Sequence, residues 1–379
     1  MVVNIEATLR SVAAAIDAAE MMSGSEVKTV WTGIGGSHID GINSRGVVAV
    51  TGKGREIGPS DIARVLEAAR AVVIPMDRQI LEVIPQSYIV DDQKGIRDPL
   101  DMMGVRLEAE VHIITCSGTS AQNLVKCVNR AGYEVNDLVL QSLAAGRSVL
   151  TEEEKELGVV LVDLGGGTTE LLVYTEGTPY SITTIPAGGE QVTRDISIIK
   201  GISFENAEKI KIEAGCCWKT MLGTGAAGSP LEGDDDVIVP GVGGRPPMPI
   251  PRSQILTIIQ PRMEEIFGMV KDELDRLNLS RPLGGGIVLT GGGAQLLGAA
   301  ELANQIFKMP VRVGTPLSVG GLVEEYRSPV YAAAVGLVLE GNDREGKAGP
   351  DRSGGPSPRE SAPDGIHKKF WNWIKGEFF

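Results

Sequence analysis

The chain has 379 residues, 42% of them hydrophobic and 22% charged, and a net charge of −13. That length and balance fit a globular protein of two or more domains with substantial cores. The acidic excess argues against bulk nucleic-acid binding, and no apolar run reaches the roughly 18 residues of a membrane-crossing helix, so any membrane contact is expected to be peripheral.

The N-terminal run Ile5–Met22 has apolar positions at helical spacing and many alanines, and reads as an amphipathic core helix and not as a signal peptide. Val27–Ile34 reads as a strand ending in the glycines of TGIGG. From His38 to about Glu108 the texture changes to short strands (Val47–Thr51, Gln79–Ile84, Tyr88–Val90) and one helix opened by Pro59-Ser60-Asp61, with Ser60 or Asp61 as the expected N-cap. This stretch is expected to be a small inserted α+β subdomain. A buried strand (Glu110–Cys116), a helix (Ala121–Ala131), a strand (Val135–Leu138) and a helix (Ser142–Leu150) follow.

Val159–Tyr174, VVLVDLGGGTTELLVY, is the most informative stretch. An apolar strand ends in Asp163, the turn Gly165-Gly166-Gly167-Thr168-Thr169 follows, and a second apolar strand begins. Glycine has no Cβ, so backbone N–H groups in such a turn can approach a phosphate, and Asp163 is placed to hold a metal through water or orient an attacking water. A β-hairpin with a glycine-rich turn and no ligand is the plainer reading of the same residues. A second strand–glycine turn, GIVLTGGGAQLLG (Gly286–Gly298), presents Gly291, Gly292 and Gly293 before a helix expected from Ala294 to Phe307. Two such turns predict a nucleotide gripped from two sides of a cleft. Neither is a P-loop or a dinucleotide fingerprint.

Val192–Lys200 and Asn206–Ala214 read as helices, Gly215–Pro251 as loop-rich, Arg252–Leu277 as a long helix, Val311–Val313 as a strand and Tyr331–Leu339 as a last core helix. Residues 341–366 are rich in Gly, Pro, Ser and charge, and read as a flexible linker. His367–Phe379 breaks the pattern of a chain that is only 4% aromatic. On a helix, Phe370, Trp371, Trp373, Ile374 and Phe378 share a broad face ringed by Lys368, Lys369 and Lys375, the pattern of a helix lying on an anionic membrane surface. Docking on the protein's own core is the alternative. The four cysteines have no metal spacing and read as buried thiols; the three histidines show no triad or zinc pattern, and no metal site is expected.

The paired glycine turns are the parts of an actin-like ATPase. The motifs VIPQSYIVDDQKGIRDP (Val83–Pro99), GVRLEAEVHIITC (Gly104–Cys116), Leu150–Gly177, VPGVGGRPP (Val239–Pro247), the second glycine turn and the aromatic–basic tail go further. With them the chain resembles the FtsA family of bacterial cell-division actin homologues along essentially its whole length. The resemblance implies an α/β, actin-like (ribonuclease-H-like) two-lobed ATPase fold with an inserted α+β subdomain 1C, a disordered linker and a C-terminal amphipathic helix. It assigns residues 1–37, 110–186 and 321–340 to subdomain 1A, 38–109 to 1C, 187–222 and 284–320 to 2A, 223–283 to 2B, 341–366 to the linker and 367–379 to membrane targeting.

It further implies ATP, with Mg²⁺ through the nucleotide. Asp163, Gly165, Gly166, Gly167, Thr168 and Thr169 would form the second phosphate loop, Gly291, Gly292 and Gly293 the adenosine motif, and Glu208 and Lys211 would reach the ribose or adenine. Gln141 matches the position that orients water; many such chains carry Glu there, and glutamine is a poor base, so hydrolysis should be weak at most. The implied partners are the C-terminal peptide of FtsZ through 2B, where Arg252 and Arg262 would suit an acidic segment, anionic lipids of the inner membrane, further copies of the chain in filaments, and later division proteins through 1C. The location would be the cytoplasmic face of the membrane at the division site. The sequence begins inside the family's first subdomain, without the DxGT-type hairpin that supplies the first phosphate loop, so stability and ATP affinity are expected to suffer. A sugar or acetate kinase of the same superfold, and a rod-shape or plasmid-segregation actin, are the alternatives.

Overall fold

The computed structural model describes residues 4–51, 53–219, 236–239, 246–279, 282–317, 320 and 323–347. They divide into two compact units: one takes in residues up to Gly41, Asp77–Leu81 and Thr115–Arg344, the other Ile42–Met76 and Glu82–Ile114.

The first unit opens with α1 (Ile5–Ser23), capped by the Asn4 side chain and ended by Gly24 in the left-handed region. None of its side chains is buried, so the expected core helix is a half-covered surface helix. Strand β1 (Thr29–Ile34) follows.

The second unit is a four-stranded sheet with one helix: β2 (Asp40–Ala49), α2 (Pro59–Arg70), β3 (Arg78–Val90), β4 (Gln93–Ile96) and β5 (Arg106–Ser117), in sheet order β2-β5-β3-β4. Three details differ from the sequence reading. The expected boundary at 109 falls inside β5. Strand β3 runs unbroken through Pro85, and β4 pairs with its far end, at Tyr88 and Val90. The N-cap of α2 is Gly58; Asp61 reaches back from the third helical position to accept from the Gly58 N–H at 3.1 Å.

The chain then returns to the first unit through α3 (Gly118–Arg130), on which α1 packs, β6 (Glu134–Leu140), α4 (Gln141–Val149) and α5 (Glu152–Leu157). Helix α5 was not expected, yet its signal is in the sequence: Thr151 caps the Glu154 N–H and Glu154 reaches back to Thr151, a complete capping box. Next come β7 (Val159–Leu164), β8 (Thr169–Thr175), β9 (Thr178–Ile185), α6 (Gly189–Lys200), α7 (Phe204–Ala214), β10 (Asp236–Val239), β11 (Met248–Pro251), α8 (Arg252–Arg276), β12 (Ile287–Thr290), α9 (Ala299–Phe307), β13 (Val311–Val313) and α10 (Ala332–Lys347).

Strands β1 and β6 pair in parallel. The main sheet has the order β13-β12-β7-β8-β9, with β7 parallel to β12 and antiparallel to β8. The boundary expected between 186 and 187 therefore does not separate sheets: β7–β9 lie in one sheet with β12 and β13, a pairing across more than a hundred residues of chain that no local pattern reveals. Val160, Val162, Leu171, Ile196, Ile255, Ile259, Phe267, Leu289 and Leu302 make one core between this sheet and α6–α9, closed by an edge-on contact of Phe267 with Phe307 at 5.7 Å. Helix α9 starts at Ala299, later than expected, because Gly292–Gln295 forms a short 3₁₀ turn and Gly298 caps the helix.

Helix α10 continues past the expected end at Leu339 to Lys347, into the stretch read as linker. Its charged residues are ion-pair partners there. Arg147 of α4 meets Glu340 at 2.9 Å and also Asp343, while Arg344 holds Glu340 at 2.7 Å, pairs with Asp137 of β6 and lies over the Trp31 ring.

Candidate functional site

Strands β7 and β12 are parallel neighbours with Asp163 opposite Thr290, so both glycine turns emerge side by side at the carboxyl ends of adjacent strands. This corrects the picture of a ligand gripped from two sides: the turns share one sheet edge, the usual place for a ligand in an open α/β sheet. Gly291 (φ 79°) packs on the Asp163 carboxylate and the Leu164 carbonyl, and a Cβ there would overlap both. The Gly165 and Gly166 carbonyls accept from the N–H groups of Gly189 (2.9 Å) and Glu190 (2.8 Å), which ties the first turn to the start of α6. Gly188, overlooked in the sequence, lies so close to those carbonyls that any Cβ would clash with them; a Gly-Gly pair between a strand and a helix was the available signal.

The turn is a wall between two cavities. On one side, about 340 Å³ is lined by Gly165, Gly166, Gly188, Gly189, Gly292 and Gly293, by Glu208 and Lys211 of α7, by Arg252, and by apolar side chains including Leu164, Val192, Met263, Ile266 and Leu296. On the other, about 370 Å³ is lined by Gly167 and Thr168, by Gln141, by Gly33 of β1 and by Gly35 and Gly36 just beyond it. Lys211 donates to the Gly189 carbonyl (3.1 Å), Thr193 Oγ1 (2.9 Å) and Glu208 (2.7 Å), and Thr193 also bonds Glu208. Burial alone would raise the Glu208 carboxyl, but the bonds from Lys211 and Thr193 outweigh it and hold it below its ordinary value.

Not every expected residue is available to a ligand. The Thr169 hydroxyl is fully buried and donates to the Ala187 carbonyl at 2.8 Å, so it holds β8 to the α6 approach and does not face either cavity. Gln141 begins α4, exposed, with its amide over Gly33 and Gly35. The same Gly35 lies against Glu170, a residue the sequence reading passed over. Glu170 faces Asp163 across the β7–β8 pair, is 5% exposed, and accepts from the Gly36 N–H at 3.1 Å. Burial and the Asp163 charge raise its carboxyl to about 7, and burial raises Asp163 to about 6. The GGGTTE run contained this signal: on a strand, Glu170 has to point to a buried face beside the aspartate.

The two arginines assigned together separate in the structure. Arg262 bonds Asp195 of α6 through Nε (2.6 Å) and its second nitrogen (3.2 Å) and also pairs with Glu265, on a partly exposed face. Arg252 opens α8 and lines the cavity that Glu208 and Lys211 share. The tail residues Lys368, Lys369, Phe370, Trp371, Trp373, Ile374, Lys375 and Phe378 lie outside the described residues. Among the described residues no helix is long and apolar enough to cross a membrane, and no group of three metal-ligating side chains occurs.

The chain is 43% identical to the cell division protein FtsA of Pseudomonas aeruginosa over 100% of its own length and 88% of that protein's. It belongs to the FtsA family. The FtsA of Borreliella burgdorferi is 46% identical over 91% of this chain and 82% of its own, and that of Escherichia coli 38% over 90% and 80%. The family model for cell division protein FtsA matches residues 160–336, and that for the SHS2 domain inserted in FtsA matches 36–115, which brackets the second compact unit. Among solved structures, the PilM–PilN type IV pilus biogenesis complex matches with a TM-score of 0.57 and 17% identity over 87% of this chain and 84% of that one, a likeness of fold alone. The fold is actin-like, and the FtsA-family membership gives the chain a role in cell division.

Proposed function

We propose that this FtsA-family chain is a membrane adaptor of cell division: it binds an adenine nucleotide, holds the C-terminal peptide of FtsZ, and tethers FtsZ filaments to the cytoplasmic face of the membrane at the division site. The observation that carries the nucleotide part is the pair of glycine turns side by side at the carboxyl ends of β7 and β12, over a cavity that Glu208 and Lys211 also line. The residues fit such a ligand. Turn backbone with no Cβ faces the cavity, the N-terminus of α6 stands behind it, and the apolar wall suits a base.

ATP with Mg²⁺ would supply charge that orders these elements on each other. Around it, Gly165–Gly167 and Gly292–Gly293 give close backbone approach, Thr168 offers a hydroxyl on the other side of the turn, and Asp163 is held against Gly291. Gln141 and Glu170 converge at Gly35 and can orient a water there; glutamine accepts no proton, so turnover is slow and the nucleotide acts as an assembly ligand more than as fuel. Filament formation and contacts of the inserted unit with later division proteins belong to the same reading.

Arg262, paired with Asp195 and Glu265 on a partly exposed face, is the contact for an acidic peptide that exchanges carboxylates with them. The aromatic–basic residues 367–379 provide the lipid anchor by their sequence pattern. Co-sedimentation with anionic liposomes and FtsZ tests the adaptor. Removing Lys368–Phe379 should abolish recruitment of FtsZ to the vesicles, and recruitment that persists without them refutes the tether.

A further inference from the structure

Arg252 is not explained by the packing around it. Its Nε is buried and has no hydrogen-bond partner among the described residues, and an unsatisfied buried donor is costly. It is also the first residue of α8, where the helix dipole opposes a cation. It lines the cavity of Glu208 and Lys211, within electrostatic reach of Cys216, which follows α7 and bridges to Leu297. The other cation of that lining, Lys211, has its three donors committed to Gly189, Thr193 and Glu208.

We propose that Arg252 is a ligand-binding residue for the nucleoside half of the nucleotide: its guanidinium donates to acceptor atoms of the base or ribose. The inference rests on the nucleotide reading above and removes Arg252 from the peptide surface. On that reading the phosphates belong at the Gly165–Gly166 turn, which is tied by its carbonyls to the start of α6. Arg252 stands instead near Cys216, which bridges to Leu297, in a cavity whose lining also includes the apolar Leu296, Met263 and Ile266, and there a flat, weakly hydrated guanidinium suits a heterocycle.

The test titrates the wild type, Arg252→Met and Arg252→Lys with Mg-ATP and, separately, with adenosine, up to millimolar concentrations, with a urea midpoint for each variant. Arg252→Met should weaken ATP and adenosine by the same factor, about 10- to 100-fold, as expected for loss of a charge-assisted hydrogen bond. Arg252→Lys, which keeps the charge and the fold but loses Nε, should fall between. Binding of the FtsZ C-terminal peptide should not change. If the wild type binds ATP and both variants bind within twofold of it, the Arg252 assignment fails alone. If the wild type binds neither ATP nor adenosine, the nucleotide reading fails and the assignment with it. A loss confined to ATP would move Arg252 to the phosphates, and a loss confined to the peptide would return it to the partner surface; either overturns the proposal.

Discussion

Replacing Gly336 with alanine should cost the chain far more than a surface helix substitution does. Gly336 sits where α10 crosses α4 at backbone contact: a Cβ there would fall inside the Ala144 carbonyl and within 2.9 Å of the Ala144 Cα, where carbon atoms ordinarily rest about 3.5–4.0 Å apart. Helix α10 would have to withdraw. Overpacking of this kind costs about 1–3 kcal/mol. Withdrawal also stretches the bond of Ser148 Oγ to the Ala332 carbonyl (2.6 Å) and the Arg147–Glu340 pair (2.9 Å), together about 2 kcal/mol. Alanine returns about 1 kcal/mol of helix propensity. The net expectation is a loss of about 2–4 kcal/mol. Urea unfolding at neutral pH measures it. A variant as stable as the wild type, or stabilised by the propensity increment, would show that α4 and α10 do not touch at this point and would refute the reasoning.

Two further outcomes follow from titrating groups. In the inserted unit, burial alone would raise the Asp61 carboxyl, but bonds from the Gly58 N–H, Arg64 and Thr51 hold it at about 2. A depressed folded value means stability that is present above the unfolded value of about 3.8 and lost as pH falls toward 2, so Asp61→Asn should remove about 2 kcal/mol at pH 7 and flatten unfolding free energy between pH 4 and pH 2. Glu170 has the opposite sign. Its folded carboxyl is raised to about 7, so the native state holds its proton longer and stability falls as pH rises from 4.5 through 7. Glu170→Gln should therefore stabilise the chain at pH 8 relative to pH 5, read from urea midpoints at both; an unchanged pH dependence would mean that the Asp163–Glu170 pair is solvated.

Local chemistry was legible in the sequence wherever it acts through a few neighbouring residues. The Asp163 turn, its flanking strands and the long apolar face of α8 stand where their patterns place them. The Thr151–Glu154 box was equally readable and was missed. Thr169 shows the limit of a motif: β8 is buried on both faces and Ala187 takes the Thr169 hydroxyl, while Thr168 stays at the cavity. The charged residues of α10 were misread for a related reason. Asp343 and Arg344 look like linker until Arg147 and Asp137, some two hundred residues earlier in the chain, come to meet them. The distinction between Arg252 and Arg262 could not be read at all, because it depends on Asp195 of another helix and on which side of α8 faces the cavity.

The turn at Gly165–Thr168 is a single layer of backbone with a cavity on each side. Successive residues of one short turn serve different chambers: Gly165 and Gly166 line one, Gly167 and Thr168 the other. The two chambers are therefore one peptide unit apart along the chain, at Gly166–Gly167.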